Sequence, residues 1–427
     1  VNQATGFQIS GTATLSGAAL PGVTMTLTGA ASQTVTTDGN GNYAMPGLTT
    51  GSFTVTPALF GYTFAPPSAT FTSVSTSQVA NFVATQLPLT LSVDRTRLNF
   101  AARNTTLLTP LQKVLLSYSR ATATNWTAST NQPWLQVTPA SGTGPTRLTV
   151  SVVPGLMPAT GVSNATVTIA APGAANPTLT VSVVLTRLAT SAAPFGAFDT
   201  PTNNAINVAG SIAVTGWAMD DIYVNKVALY RDPIGGEPVQ GNGFVYIADA
   251  VFIPNARPDV EALNPTLPFQ YRGGWGYLML TTGVPNVGGP QGNGTIKLWA
   301  IVTDIEGNNT NLGSKTITLN NAGSLKPFGA IDTPGQGGTA SGTAFANFGW
   351  ALTPLPNIIS AQPTTMWVGI DSAIIGRVNY GQFRPDIAAG FPGYRNSGSA
   401  ASGVGAGGYF VIDTTQYANG MHQIGWL

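Results

Sequence analysis

The chain has 427 residues, more than one hydrophobic core can absorb, so several modules of about 100 residues each are expected. Charged residues make up only 8% and the net charge is +1; no Lys or Arg cluster exists to neutralise phosphates, which excludes nucleic acid as a partner. Cysteine is absent, excluding disulfides and thiolate metal sites, and no apolar run reaches the ~20 residues of a membrane span.

Helical surfaces need Glu, Lys and Arg, whereas Gly, Thr, Ser, Ala and Pro fill this chain between short apolar stretches. The expected fold class is all-β: four Ig-like or prealbumin-like β-sandwich domains in a row, the last one lacking its final strand. So few charges make a poor solubilising coat, which suits a surface that is glycosylated, anchored or covered by neighbouring subunits. The chain opens at Val1 with no basic region and apolar core, so any export signal is expected to have been removed or not included.

Residues 1–86 alternate Thr or Ser with apolar residues in "FQISGTATL", "GVTMTLTGA" and "GSFTVTPA", the period-two pattern of strands with one buried face. The order "ISGTAT", "PGVTMTLTG", "TDGNGNYAMPGL", "GSFTVTP", "GYTFAPPS" resembles the carboxypeptidase-regulatory-like, prealbumin-type sandwich of bacterial surface and secreted proteins. "DGNGNY" (Asp38 to Tyr43) starts like a calcium loop but lacks Gly at position six and Glu at position twelve, so it reads as a tight hairpin turn.

Residues 87–188 contain "PWLQVTPASGTGPTRLTVSV" and close on "NATVTIAAPGAANPTLTVSVVLTRL". Trp-Leu-x-Val-x-Pro, then Ser-Gly-x-Gly, then two strands joined by a small-residue turn, resembles a BACON-type Ig-like domain. That resemblance implies attachment to carbohydrate-active enzymes and glycan binding.

The remaining chain holds an internal repeat. "PFGAFDTP" at Pro194 returns as "PFGAIDTP" at Pro327, and "GWA" at Gly216 returns at Gly349, both with the same spacing. "VALYRD" (Val227 to Asp232) corresponds to "MWVGID" (Met366 to Asp371), and "ARPDV" (Ala256 to Val260) to "FRPDI" (Phe383 to Ile387). Both copies, 189–322 and 323–427, resemble Gly-Trp-Ala-containing Ig-like modules of large bacterial extracellular proteins.

In the first copy, "NGTIKLWAIVTDIEGNNTNLGSKTITL" supplies a strand, a polar turn and a closing strand; in the second, "NGMHQIGWL" aligns with "NGTIKLWAI" and the given sequence stops. A sandwich without its closing strand exposes an apolar groove and unpaired backbone groups. Two explanations stand: the natural chain continues, or another subunit donates a strand. A donated strand binds head to tail and builds open filaments. The candidate exchange residues are Val1, Phe7 and Ile9 as donor and Ile424, Trp426 and Leu427 as acceptor.

Catalytic groups are scarce: the single histidine, His422, lies on a predicted strand with no visible partner, and the chain reads as no enzyme. No cofactor is expected, with calcium held open at Asp220, Asp221, Asp304 and Glu306, against the alternative of plain polar turns. Trp217, Trp350 and Trp134 read as core, while Trp126, Tyr271, Trp275 and Tyr277 are candidate glycan or protein contacts, against local packing.

The expected function is that of a secreted or cell-surface, non-enzymatic structural protein, a stalk or filament subunit that self-associates. The alternative is a carbohydrate-binding or adhesive protein, or the accessory region of a secreted carbohydrate-active enzyme, with polysaccharide as partner.

Overall fold

A computed structural model describes residues 6–120, 124–285, 292–361, 365–398 and 405–427. It is all-β apart from short helical turns, the longest of which have six residues. No helix among the described residues is long and apolar enough to cross a membrane. Two compact units divide the chain: residues 1–98 with 110–185, and residues 99–109 with 186–427.

In the first unit, the strand Phe7–Leu15 pairs antiparallel with Asn42–Leu48 and parallel with Phe82–Gln86. A second sheet runs in the order Gln33–Thr36, Thr24–Gly29, Gly51–Ala58, Ala69–Val74. Alternation explains the sandwich. Met25 and Leu27 are wholly buried with Ile9, Met45 and Val55, while the threonines between them face outward, where Thr54 and Thr70 share a 3.1 Å cross-strand hydrogen bond. The Asp38 turn departs from expectation. Its Oδ1 accepts from Asn40 N and Asn42 N at 2.9 and 2.8 Å, and the strands it joins belong to different sheets, so it forms a corner, not a hairpin.

The same unit carries a second pair of sheets. One runs Leu91–Val93, Gln112–Tyr118, Thr146–Val152, Leu135–Thr138; the other includes Thr178–Arg187, Gly161–Ala170, Asn125–Thr130 and Ser141–Thr143 in that order. The inward residues Leu116, Leu148, Val150, Ile169 and Val183 are fully buried.

The second unit contains both repeat copies. Each has a four-stranded sheet of one connectivity: Phe195–Thr200, Ser211–Met219, Gly274–Leu280, Val251–Phe252 in the first copy, and Phe328–Thr333, Phe345–Leu352, Gly407–Ile412, Asn379–Gln382 in the second. The sequence markers touch one another. Phe195 meets Trp217 edge-on at 5.8 Å, and Phe328 meets Trp350 in the same way at 6.1 Å. The glycine of Gly-Trp-Ala is required by packing: a Cβ on Gly216 would strike the Trp275 ring and the Ala197 carbonyl, and one on Gly349 the Ala330 carbonyl and the Trp426 ring.

The Arg-Pro-Asp motifs start two six-residue helices, Pro258–Leu263 and Pro385–Gly390, each with Pro in its first turn. Arg257 bonds Asp259 at 2.9 and 2.7 Å and reaches Asp199 of the Asp-Thr-Pro corner. Arg384 repeats this with Asp386 and with Asp332 at 2.7 Å. The two arginines pull Asp259 and Asp386 down to about 2.

Candidate functional site: the edge of the terminal strand

The copies part company in their second sheet. In the first copy it has five strands, ordered Ala205–Val208, Asn309–Asn320, Asn293–Asp304, Val224–Arg231, Val245–Asp249. Among the described residues the second copy has three, ordered Ala373–Arg377, Trp367–Ile370, Ile424–Trp426. Ile424–Trp426 occupies the place of Asn293–Asp304, and among the described residues no strand pairs with its outer side.

The register defines that edge. Ile424 lies opposite Ile370, Gly425 opposite Gly369 and Trp426 opposite Val368. Leu427 and Trp367 exchange both backbone hydrogen bonds, at 2.8 and 2.9 Å, and Asp371 N donates to Gln423 O at 3.0 Å. In an antiparallel ladder alternate residues point their backbone groups to opposite sides. The N–H and C=O of Ile424 and Trp426 therefore face outward, where a strand corresponding to Asn309–Asn320 would bond them.

The side chains tell the same story. In the first copy the hairpin buries Ile296, Leu298, Ala300, Val302, Ile317 and Leu319, the isoleucines, leucines and valine each contributing about 1.5–3 kcal/mol. In the second copy Ile424 and Trp426 are only partly buried, against Met366, Val368, Val378 and Tyr380. Trp426 is held by its polar end: Nε1 donates to Asn347 Oδ1 at 2.7 Å, and the Asn347 amide donates to Thr333 O at 2.8 Å. Asn347 is fully buried and orients the ring. Leu427 is 71% exposed.

The expected donor residues are engaged elsewhere. Phe7 pairs with Leu48 and meets the Phe53 ring at 6.1 Å, and Ile9 is wholly buried opposite Met45. Val1 lies outside the described residues.

No family model matches the chain, and no curated protein matches it. Among solved structures, a Bacteroides ovatus GH5 xyloglucanase in complex with a XXXG heptasaccharide aligns at 18% identity and a TM-score of 0.20, over 38% of this chain and 30% of its own. The fibronectin(III)-like modules of Clostridium thermocellum CbhA align at 11% and 0.18, over 55% of this chain and 95% of theirs. BcpA, the major pilin subunit of Bacillus cereus, aligns at 10% and 0.17, over 74% and 99%. Likenesses this distant carry no functional argument, which rests on the residues themselves.

The aromatic candidates divide by burial. Trp126 and Trp275 are each 2% exposed, so neither presents a ring face for stacking. Trp126 Nε1 donates to Gly144 O at 3.0 Å, and Trp275 sits in the first-copy core beside Phe198. Tyr277 packs partly buried on that core. Tyr271 meets Phe269 at 5.8 Å, in a turn where Arg272 stacks over Phe252 at 4.8 Å and donates to Tyr223 Oη at 3.1 Å.

Asp220, Asp221, Asp304 and Glu306 do come close enough to feel one another's charge. Most of their oxygens serve the protein. Asp220 Oδ2 caps Ile222 N and Tyr223 N at 2.8 and 2.7 Å, Asp221 accepts from Ala192 N, and Asp304 holds the Glu306–Asn308 turn. Glu306 is paired with Arg103 at 2.9 Å. Burial, and then the neighbouring carboxylates, push Asp220 up to about 6, against the pull of its two backbone donors. Among the described residues no three His, Cys, Asp or Glu side chains are arranged to hold a metal ion.

His422 is not on a strand, contrary to expectation; it precedes the terminal strand and has partners. Nothing in the sequence pairs it with Asp371, 51 residues away.

Proposed function

We propose that this protein is a non-enzymatic, extracellular structural protein, a surface stalk or filament subunit built from β-sandwich modules at residues 1–86, 87–188, 189–322 and 323–427. Assembly is head to tail: the edge of Ile424–Trp426 accepts a strand from a second copy, whose inward side chains do what Ile317 and Leu319 do in the first repeat. One observation carries this reading. Among the described residues the sheet of Ile424–Trp426 has three strands where its sibling has five, and the backbone of Ile424 and Trp426 faces outward beside a partly buried Trp426. An edge of that kind is a template for another chain, and a contact between different surfaces propagates without closing. The low charge suits a surface covered by neighbours. The polysaccharide reading has lost both of its tryptophans to the cores.

The test uses the purified chain at high concentration, examined by light scattering and negative-stain microscopy. Expected are concentration-dependent polymers that shorten when a synthetic peptide of Asn309–Asn320 is added to occupy the edge. A monodisperse monomer that binds no such peptide refutes the reading. So does a longer version of the chain whose added residues complete the sheet and keep it monomeric.

A further inference from the structure

His422 is the chain's single histidine. Its Nδ1 lies 2.5 Å from Asp371 Oδ2, and its Nε2 lies 2.7 Å from the carbonyl oxygen of Ala418. Both neighbours are acceptors. A neutral imidazole carries one N–H and can satisfy only one of them, so this geometry belongs to the imidazolium. The other oxygen of Asp371 accepts from Gln423 N at 2.9 Å, and Asp371 N donates to Gln423 O. The cluster therefore sits where the chain enters the terminal strand. Among the described residues, Asp371 and Tyr417, whose ring meets the imidazole edge-on at 5.8 Å, are the titratable groups seen to face His422.

The repeat shows what the histidine replaces. "NGMHQIGWL" on "NGTIKLWAI" sets His422 at the position of Ile296, which is 5% exposed and lies inside a strand that begins at Asn293. An ionisable ring does not take that buried place, and in the second copy the strand begins only at Ile424.

We propose that His422 is a proton-operated latch: when protonated it pins the entry of Ile424–Trp426 to the turn at Asp371 and Ser372, and when deprotonated it releases that entry. In its biological consequence the inference rests on the assembly reading, because a firmly held edge strand is the better template for a donated one. The Asp371 carboxylate and the Ala418 carbonyl both raise the affinity of His422 for its proton. The latch is thus closed below the ordinary histidine value of about 6.5 and opens as pH rises through the raised one. Asp371, held below its usual range by Gln423 N and then His422, sets the acid limit: the latch also fails once that carboxylate is protonated, at a pH below the ordinary aspartate range.

Because the chain has one histidine, an NMR titration of the full-length protein with labelled histidine gives one resonance to follow. A midpoint above 6.5 is expected, returning toward that value in Asp371→Asn. Asp371 has a φ of 50° and Ser372 one of 72°, and Asn tolerates such a backbone, so the variant keeps the turn. In parallel, amide exchange of Gln423, Gly425 and Leu427, the residues of this stretch whose N–H groups point to Asp371 and the Trp367–Ile370 strand, corrected for intrinsic rates, should lose at least threefold in protection across the midpoint in the natural protein and stay flat in His422→Gln. A midpoint at or below 6.5, or the same pH dependence in both proteins, overturns the latch. Absence of polymers at every pH, with the titration and the protection change intact, overturns the assembly reading and leaves the latch standing.

Discussion

Replacing Asp220 by asparagine separates what burial does to this side chain from what its two hydrogen bonds do. Asp220 is 4% exposed, its Oδ2 receives two backbone N–H groups, and its Oδ1 is buried with no partner. Folding moves it from an ordinary 3.8 to about 6, so the folded state binds the proton more tightly than the unfolded one. Stability is therefore greatest below about pH 4 and falls as pH rises to about 6, by on the order of 3 kcal/mol. Asn keeps an acceptor for Ile222 N and Tyr223 N and cannot ionise. Amide exchange of the Ser211–Arg231 region in the full chain, corrected for intrinsic rates, reads the local free energy. Protection in the natural protein should drop about a hundredfold between pH 4 and pH 7. In Asp220→Asn most of that drop should vanish, leaving only the contribution of Asp221, which burial also raises. Equal pH dependence in the two proteins, or protection that rises with pH, would refute the burial argument.

Asn347→Ala removes the partner of Trp426 Nε1 and of Thr333 O in a fully buried place; a loss of about 1–3 kcal/mol is expected, read as faster exchange at Gly425 and Leu427, whose N–H groups are bonded within the sheet, and weaker binding of the Asn309–Asn320 peptide. Trp126→Ala should cost about 3–5 kcal/mol as a core truncation, seen by calorimetry, while retention on polysaccharide columns stays unchanged. A selective loss of retention with normal melting would restore Trp126 as a sugar contact.

What could be read in the sequence depended on range. Thr-x-Thr alternation, the turns and the scarcity of charge are local, and they announced an all-β chain. The repeat markers were visible too, but not their reason: Phe195 and Trp217 are marked because they touch. The clamp of Arg257 on Asp199 closes across 58 residues, yet both motifs recur together in the second copy, a signal that pairs them. Trp126 and Trp275 look alike as sequence whether they face sugar or core, because burial is decided by strands far along the chain. Met421 and Ile424 beside His422 suggest a strand by sequence; Asp371, 51 residues away, decides otherwise.

The slot above the Gly-Trp-Ala glycine is filled by an indole in both repeats, from different sources. Trp275 comes from the neighbouring strand of the same sheet, opposite Gly216, whereas Trp426 comes from the facing sheet. A hybrid that joined the first repeat's Gly274–Leu280 to the second repeat's ending would bring two indoles to one slot, and the reverse hybrid would bring none. Although they descend from one pattern, the twin modules are no longer interchangeable parts.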